Sequence, residues 1–186
     1  MFSSFRRRNQ RRETIERLYG VIVAQARHPF FYRDLAVPDT VEGRFDLLVA
    51  HLYLVTRRLS QGGEPGREAG QALLDIFFED MDTSLREIGV GDLSVPKKMR
   101  GLAEAYLGRV AAYDAAMEAP DERAFTAALL RNVYGVADET PSPQAEAGAA
   151  QLAAYLKENA ARLDVLAPAS LTAGEMAFTT PVRRPL

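Results

Sequence analysis

The stretch Asp39-Thr40-Val41-Glu42-Gly43-Arg44-Phe45-Asp46-Leu47-Leu48-Val49-Ala50-His51-Leu52-Tyr53-Leu54-Val55-Thr56-Arg57-Arg58-Leu59-Ser60-Gln61-Gly62-Gly63-Glu64-Pro65 decides the fold class. Phe45, Leu48, Val49, Leu52, Val55 and Leu59 return every three or four residues, the spacing that lines one face of an α-helix. Asp39 or Thr40 can cap its start, Glu42 suits its first turn, and Gly62, Gly63 and Pro65 end it. Runs of alternating, β-branched residues are scarce elsewhere, so the chain reads as all-α.

Working outward, an upstream helix is predicted over residues 10–27, with Ile15, Leu18, Tyr19, Ile22, Val23 and Ala26 on one face, stopping before Pro29. Residues 29–38 form an aromatic connector, and Phe30, Phe31 and Tyr32 belong in the core. A third helix over 66–88 turns Leu73, Ile76, Phe77, Met81, Leu85 and Ile88 inward before Gly89 and Gly91. Pro96 opens a fourth, carried to Pro120 by Met99, Leu102, Tyr106, Val110, Tyr113 and Met117. A shorter fifth follows Asp121, and an alanine-rich sixth over 145–166 reads as a peripheral brace. The expected organisation is one helical bundle of about six helices with flexible tails. It comprises a basic arm (1–12), a helical core (13–136), a linker with the peripheral helix (137–167) and a partly disordered tail (168–186).

Composition narrows the chemistry. The 186 residues suit one domain with one core. With no cysteine there is no disulfide, thiolate metal site or cysteine nucleophile, and His28 and His51 are the only imidazoles. The net charge of −2 argues against a nucleic-acid partner, but Arg6, Arg7, Arg8, Arg11 and Arg12 put +5 in the first twelve residues and leave −7 for the rest. Together with Phe2 and Phe5, this basic tip suits weak contact with an anionic membrane surface. No apolar run reaches the roughly 20 residues that span a bilayer.

The densest polar pattern is Asp75-Ile76-Phe77-Phe78-Glu79-Asp80-Met81-Asp82-Thr83-Ser84-Leu85-Arg86-Glu87-Ile88-Gly89-Val90-Gly91-Asp92. Helical spacing aligns Asp75, Glu79, Asp82 and Arg86 on an outward stripe and sets Asp80 nearer the apolar edge. A cluster of carboxylates could hold divalent metal for a helical enzyme acting on a lipid or isoprenoid. Against this, Thr83 stands where the last acid of an Asp-Asp-x-x-Asp motif belongs, and neither histidine completes Glu-x-x-His. No phosphate loop or nucleophile elbow is present, and no metal or cofactor is expected. A solvated face is the plain structural reading. Under it Arg44 or Arg100 neutralises Asp80, Gly89 is a left-handed cap, and Asp92 or Ser94 caps the next helix. His51, beside an apolar stripe, reads as a hydrogen-bonded structural residue.

Asp80-Met81-Asp82, Leu85-Arg86-Glu87, Gly89-Val90-Gly91-Asp92 and Val95-Pro96-Lys97-Lys98-Met99 together resemble the signature of the ubiquinol-cytochrome c chaperone family. Val37 to Leu48, His51, Gly108-Arg109 and Tyr113-Asp114-Ala115-Ala116 resemble further blocks in the same order, so that the likeness covers residues 15–136. The resemblance implies a non-enzymatic assembly factor that binds newly made cytochrome b and keeps it competent for haem insertion. It also implies a possible helper protein and a place at the cytoplasmic face of the inner membrane, or the matrix side in a eukaryote. On that basis the region from Asp80 to Lys98 is the centre of a client site. Asp75, Phe78, Glu79, Asp80, Asp82, Arg86, Glu87, Val90, Asp92, Lys97 and Lys98 are its candidate residues, with Arg44, Asp46 and His51 as neighbours.

Overall fold

The computed structural model describes residues 2–136 and 140–182, with side chains described from Asn9 onward except that of Pro168. Among the described residues there are eight helices and no strand: α1 (Phe2–Ala26), α2 (Pro29–Arg33), α3 (Val41–Ser60), α4 (Gly63–Glu87), α5 (Val95–Glu118), α6 (Ala124–Asn132), α7 (Pro143–Val165) and α8 (Pro168–Thr172). Six are long, and α2 and α8 are single turns. α2 lies inside the expected connector because His28 caps it and Pro29, which needs no N–H partner, opens it.

The helix read first is the centre of the molecule. α3 packs against α1, α4, α5, α7 and α8, and it is buried on more than the single stripe its spacing announced: Leu47, Ala50, Tyr53 and Leu54 are also enclosed. Thr40 is the cap, its hydroxyl accepting from the Gly43 N–H at 3.1 Å. Asp39 instead accepts from Arg44 at 2.6 Å.

Three expectations are corrected. α1 starts at Phe2, eight residues before the expected boundary, and holds Arg11 and Arg12 against α4: Arg11 reaches Glu68 at 2.6 Å and Arg12 reaches Glu79 at 2.8 Å. α7 is no peripheral brace, because Leu152, Leu156, Ala160 and Leu163 are core residues between α3 and α6. An alanine-rich face lets the helices approach closely, so small side chains here mark burial. The segment beyond α7 also packs. Leu171 is buried, the Phe178 ring meets His51 edge-on, and Asn159 on α7 exchanges two hydrogen bonds with Thr179. Arg58 reaches across from α3 to donate to the Leu163 and Leu166 carbonyls, which satisfies the end of α7.

Candidate functional site: an apolar groove beside the glycine turn

The C-terminal turn of α4 is built by its sequence. Gly89 has φ +88°, a conformation that side chains resist, and the Gly89 and Val90 N–H groups donate back to the carbonyls of Arg86 and Leu85 at 3.0 Å. This 5→2 and 6→1 pairing is a Schellman termination. Arg86 braces it from outside, bonding Asp82 one turn back at 2.6 Å and the Asp92 carboxylate across the turn. Asp92 therefore pairs with Arg86 and does not cap α5; Ser94 occupies the cap position without a side-chain hydrogen bond.

Beside this turn lies a groove of about 300 Å³. Val23 and Ala26 of α1 and Arg27 just after it form one wall, and Val41, Arg44, Phe45 and Leu48 of α3 the second. Met81, Ser84, Leu85 and Ile88 descend from α4, and Leu102 closes the far side from α5. The lining is overwhelmingly apolar, and two side chains on it stand out into solvent: Val41 is 68% exposed and Ile88 65%. Leu93, 99% exposed, follows in the adjoining loop. Lone exposed apolar residues are ordinary, but apolar residues gathered on a concave lining mark a binding surface.

The sequence-predicted residues separate into three groups around this groove. Arg44 lies on it, its guanidinium 5.2 Å from the Tyr32 ring centre. Asp82, Arg86 and Asp92 build the turn, with Glu87, Val90, Lys97 and Lys98 at or near the surface beside it. Asp75, Glu79 and Asp80 face elsewhere. Asp75 accepts from Gln71 at 2.8 Å, Glu79 holds Arg12, and Asp80 accepts from the Tyr19 hydroxyl at 2.7 Å. Neither Arg44 nor Arg100 neutralises Asp80; burial and that carboxylate push Tyr19 upward, so the phenol stays protonated and remains the donor. Phe78 is half-buried on the core among Phe77 and Tyr106.

Two expected neighbours lie inside the protein. His51 is fully enclosed by the rings of Phe31, Tyr155 and Phe178. Its Nδ1–H donates to the Leu47 carbonyl at 2.8 Å, which leaves Nε2 to accept from Tyr155, whose hydroxyl in turn accepts from Gln25. Burial pulls the imidazole down to about 4, so it is neutral and structural, with no face to offer a client. Asp46 is buried behind Phe45, with Arg109 Nη2 2.6 Å from its Oδ1 but lacking hydrogen-bond alignment. Desolvation outweighs that cation and raises Asp46 to about 6. Periodicity could not show this, because Arg44 and Asp46 are two residues apart and so point to different sides.

The basic arm divides similarly. Arg11 and Arg12 are committed to α4, whereas the side chains of Phe2, Phe5, Arg6, Arg7 and Arg8 lie outside the described residues. Among the described residues, no three histidine or acidic side chains gather as they would around a metal ion. No described helix is long and apolar enough to cross a membrane.

The sequence model of the ubiquinol-cytochrome C chaperone family matches residues 33–178. The chain belongs to that family. Similar sequences include ubiquinol-cytochrome c reductase complex assembly factor 1 of Xenopus laevis, 23% identical over 125 residues that cover 67% of this chain and 62% of that protein. The Drosophila melanogaster protein is 25% identical over 154 residues, 80% of this chain and 57% of its own. The chain thus spans about three fifths of the length of these relatives. The structure is similar to the crystal structure of the Cbp3 homolog from Brucella abortus, with a TM-score of 0.82 and 37% identity over 96% of each chain.

The family match begins at residue 33 rather than at 15, and it runs past residue 136, where the resemblance read from the sequence ends. It takes in α7 and ends at Phe178, the ring that closes over His51. The groove was the larger omission. Met81, Leu85 and Ile88 have the spacing of core residues and Val41 falls outside any stripe, and a spacing pattern cannot distinguish an apolar face that meets a neighbour from one left open. A usable signal was present: the signature block places Leu85 and Ile88 immediately before the glycine turn.

Proposed function

We propose that this chain is a non-enzymatic assembly chaperone for the ubiquinol-cytochrome c reductase complex, and that newly made cytochrome b is its client. On this reading it holds cytochrome b through the groove and keeps it competent for haem insertion at the cytoplasmic face of the membrane. Family membership supports the assembly role, and the groove is the observation that carries the client contact. A membrane protein awaiting assembly presents apolar helix faces, and the groove offers an apolar, solvent-accessible concavity beside the braced turn. Its function is to bind and release, for which shape and desolvation suffice.

Arg86 and its two acids then hold the turn that positions Ile88 rather than gripping the client. The basic tip adds weak, salt-sensitive attraction to an anionic bilayer, each cation contributing about 1 kcal/mol. A helper protein fits this scheme as a second partner.

The test is affinity capture of the tagged protein from native membranes, with cytochrome b and its haem quantified in the eluate. Val41→Asp and Ile88→Asp place charges on exposed positions, so both variants should retain full helical circular dichroism while cytochrome b recovery falls at least tenfold. Undiminished recovery from both folded variants would remove the groove from the client site, and absence of cytochrome b from the wild-type eluate under crosslinking would overturn the client assignment.

A further inference from the structure

The groove is uneven in charge. Its two charged lining residues, Arg27 and Arg44, are both cations, and no carboxylate lines it. Arg44 is already committed to Asp39 at 2.6 Å. Arg27, exposed just beyond the end of α1, has no carboxylate partner among the described residues. In a molecule whose body is acidic, the groove therefore carries one uncommitted positive charge.

The walls also constrain the occupant's backbone. All four are helices, which spend most of their N–H and C=O groups along their own length, so the groove has no strand edge to pair with an extended peptide. An occupant that presses its backbone into this apolar space loses water on that side without gaining hydrogen bonds from the walls, which favours a segment already hydrogen-bonded within itself, as a helix is. One free cation is likewise the arrangement for reading a single side chain; attachment to an anionic bilayer uses clusters of several.

We propose that the groove recognises an amphipathic helix whose apolar face fills it and whose flanking acidic residue pairs with Arg27. This rests on the chaperone reading of the groove and specifies the chemistry of the client segment. Val41 and Ile88 receive side chains spaced three, four or seven residues apart, and Arg27 sets which end of the helix enters first. Exposed ion pairs are weak, so the charge orients the segment while the apolar contacts hold it.

The test uses the full chain and two synthetic helical peptides of about 20 residues. Both carry leucines at i, i+3, i+4 and i+7; one has glutamate one turn before that stripe and the other lysine. Fluorescence anisotropy at low salt should show the glutamate peptide binding about fivefold tighter. Arg27→Glu should reverse that order, Arg27→Gln should abolish the difference, and Ile88→Asp should weaken both peptides. Equal affinities for wild-type protein, or an unchanged order in a folded Arg27→Glu variant, would overturn the role of Arg27. Binding of neither peptide, with Ile88-dependent binding to vesicles of phosphatidylglycerol and phosphatidylcholine, would overturn the helical occupant and assign the groove to lipid. Peptide discrimination without cytochrome b capture would defeat the client assignment alone, whereas capture without discrimination would defeat this inference alone.

Discussion

His51 shows how a polar residue becomes part of a core. Its two ring nitrogens are each given a partner, Leu47 as acceptor and Tyr155 as donor, and only the neutral ring fits both. Its folded-state value, about 4, lies below the ordinary 6.5, so the native state binds fewer protons than the unfolded chain between those limits. Its stabilising contribution is whole above pH 6.5 and fades as pH falls toward 4, by as much as about 3 kcal/mol. Asp46 acts in the opposite sense. With its value raised to about 6, it takes up a proton in the native state first, so acidification from pH 6 toward 4 favours the fold. Urea unfolding followed from pH 7.5 to 4 should therefore give a shallower acid decline for His51→Gln and a steeper one for Asp46→Asn. Parallel curves for all three proteins would mean that neither group governs the acid limb.

At the level of elements, sequence logic succeeded where one residue type has one physical use. Thr40 before an apolar stripe and Gly89 after α4 each do what their chemistry favours: one caps with a hydroxyl and the other adopts the left-handed conformation. It failed where the use depends on a partner far along the chain. Asp92 was equally suited to capping α5 and to pairing Arg86, and only the folded turn chooses between them. Gly148 was similarly opaque. A Cβ there would lie 2.0 Å from the Leu35 carbonyl oxygen and 2.8 Å from the Tyr134 hydroxyl, which itself donates to that carbonyl. Gly148→Ala must push α7 off the segment leading into α3, and thermal unfolding should report a loss of about 2 kcal/mol or more. A wild-type midpoint would show that α7 shifts without cost.

Across the whole molecule, the all-helical class and six long helices were legible because each apolar stripe is local information. The role of the chain's last third was not. Leu171 and Phe178 sit in a stretch rich in alanine, threonine and proline with no period of its own, and their burial follows from a gap among α1, α3, α4 and α7 that no spacing rule can display. Ending the chain at Ala167 removes the Phe178 ring from His51 and both Thr179 bonds from Asn159. Such a protein should melt about 10 °C lower, as expected for losing several core side chains at once. An unchanged midpoint would make that segment a dispensable cover. The groove was half legible: its turn is written in consecutive residues, but its opening exists only where four distant segments leave one another uncovered.

The wall contributed by α5 differs from its neighbours. α3 encloses thirteen of its twenty residues, whereas α5 buries three of twenty-four, namely Val95, Tyr106 and Tyr113. Its hold on α3 includes two polar ties, Tyr53 to Asp114 and Arg109 to Asp46. Resistance to local opening scales with such buried apolar contact, so displacement of Leu102 is opposed less than displacement of Leu48. Three sides of the groove act as an anvil and the fourth as a spring. Its width is then a compliance, through which side chains of unequal bulk can be accepted without a separate cavity for each.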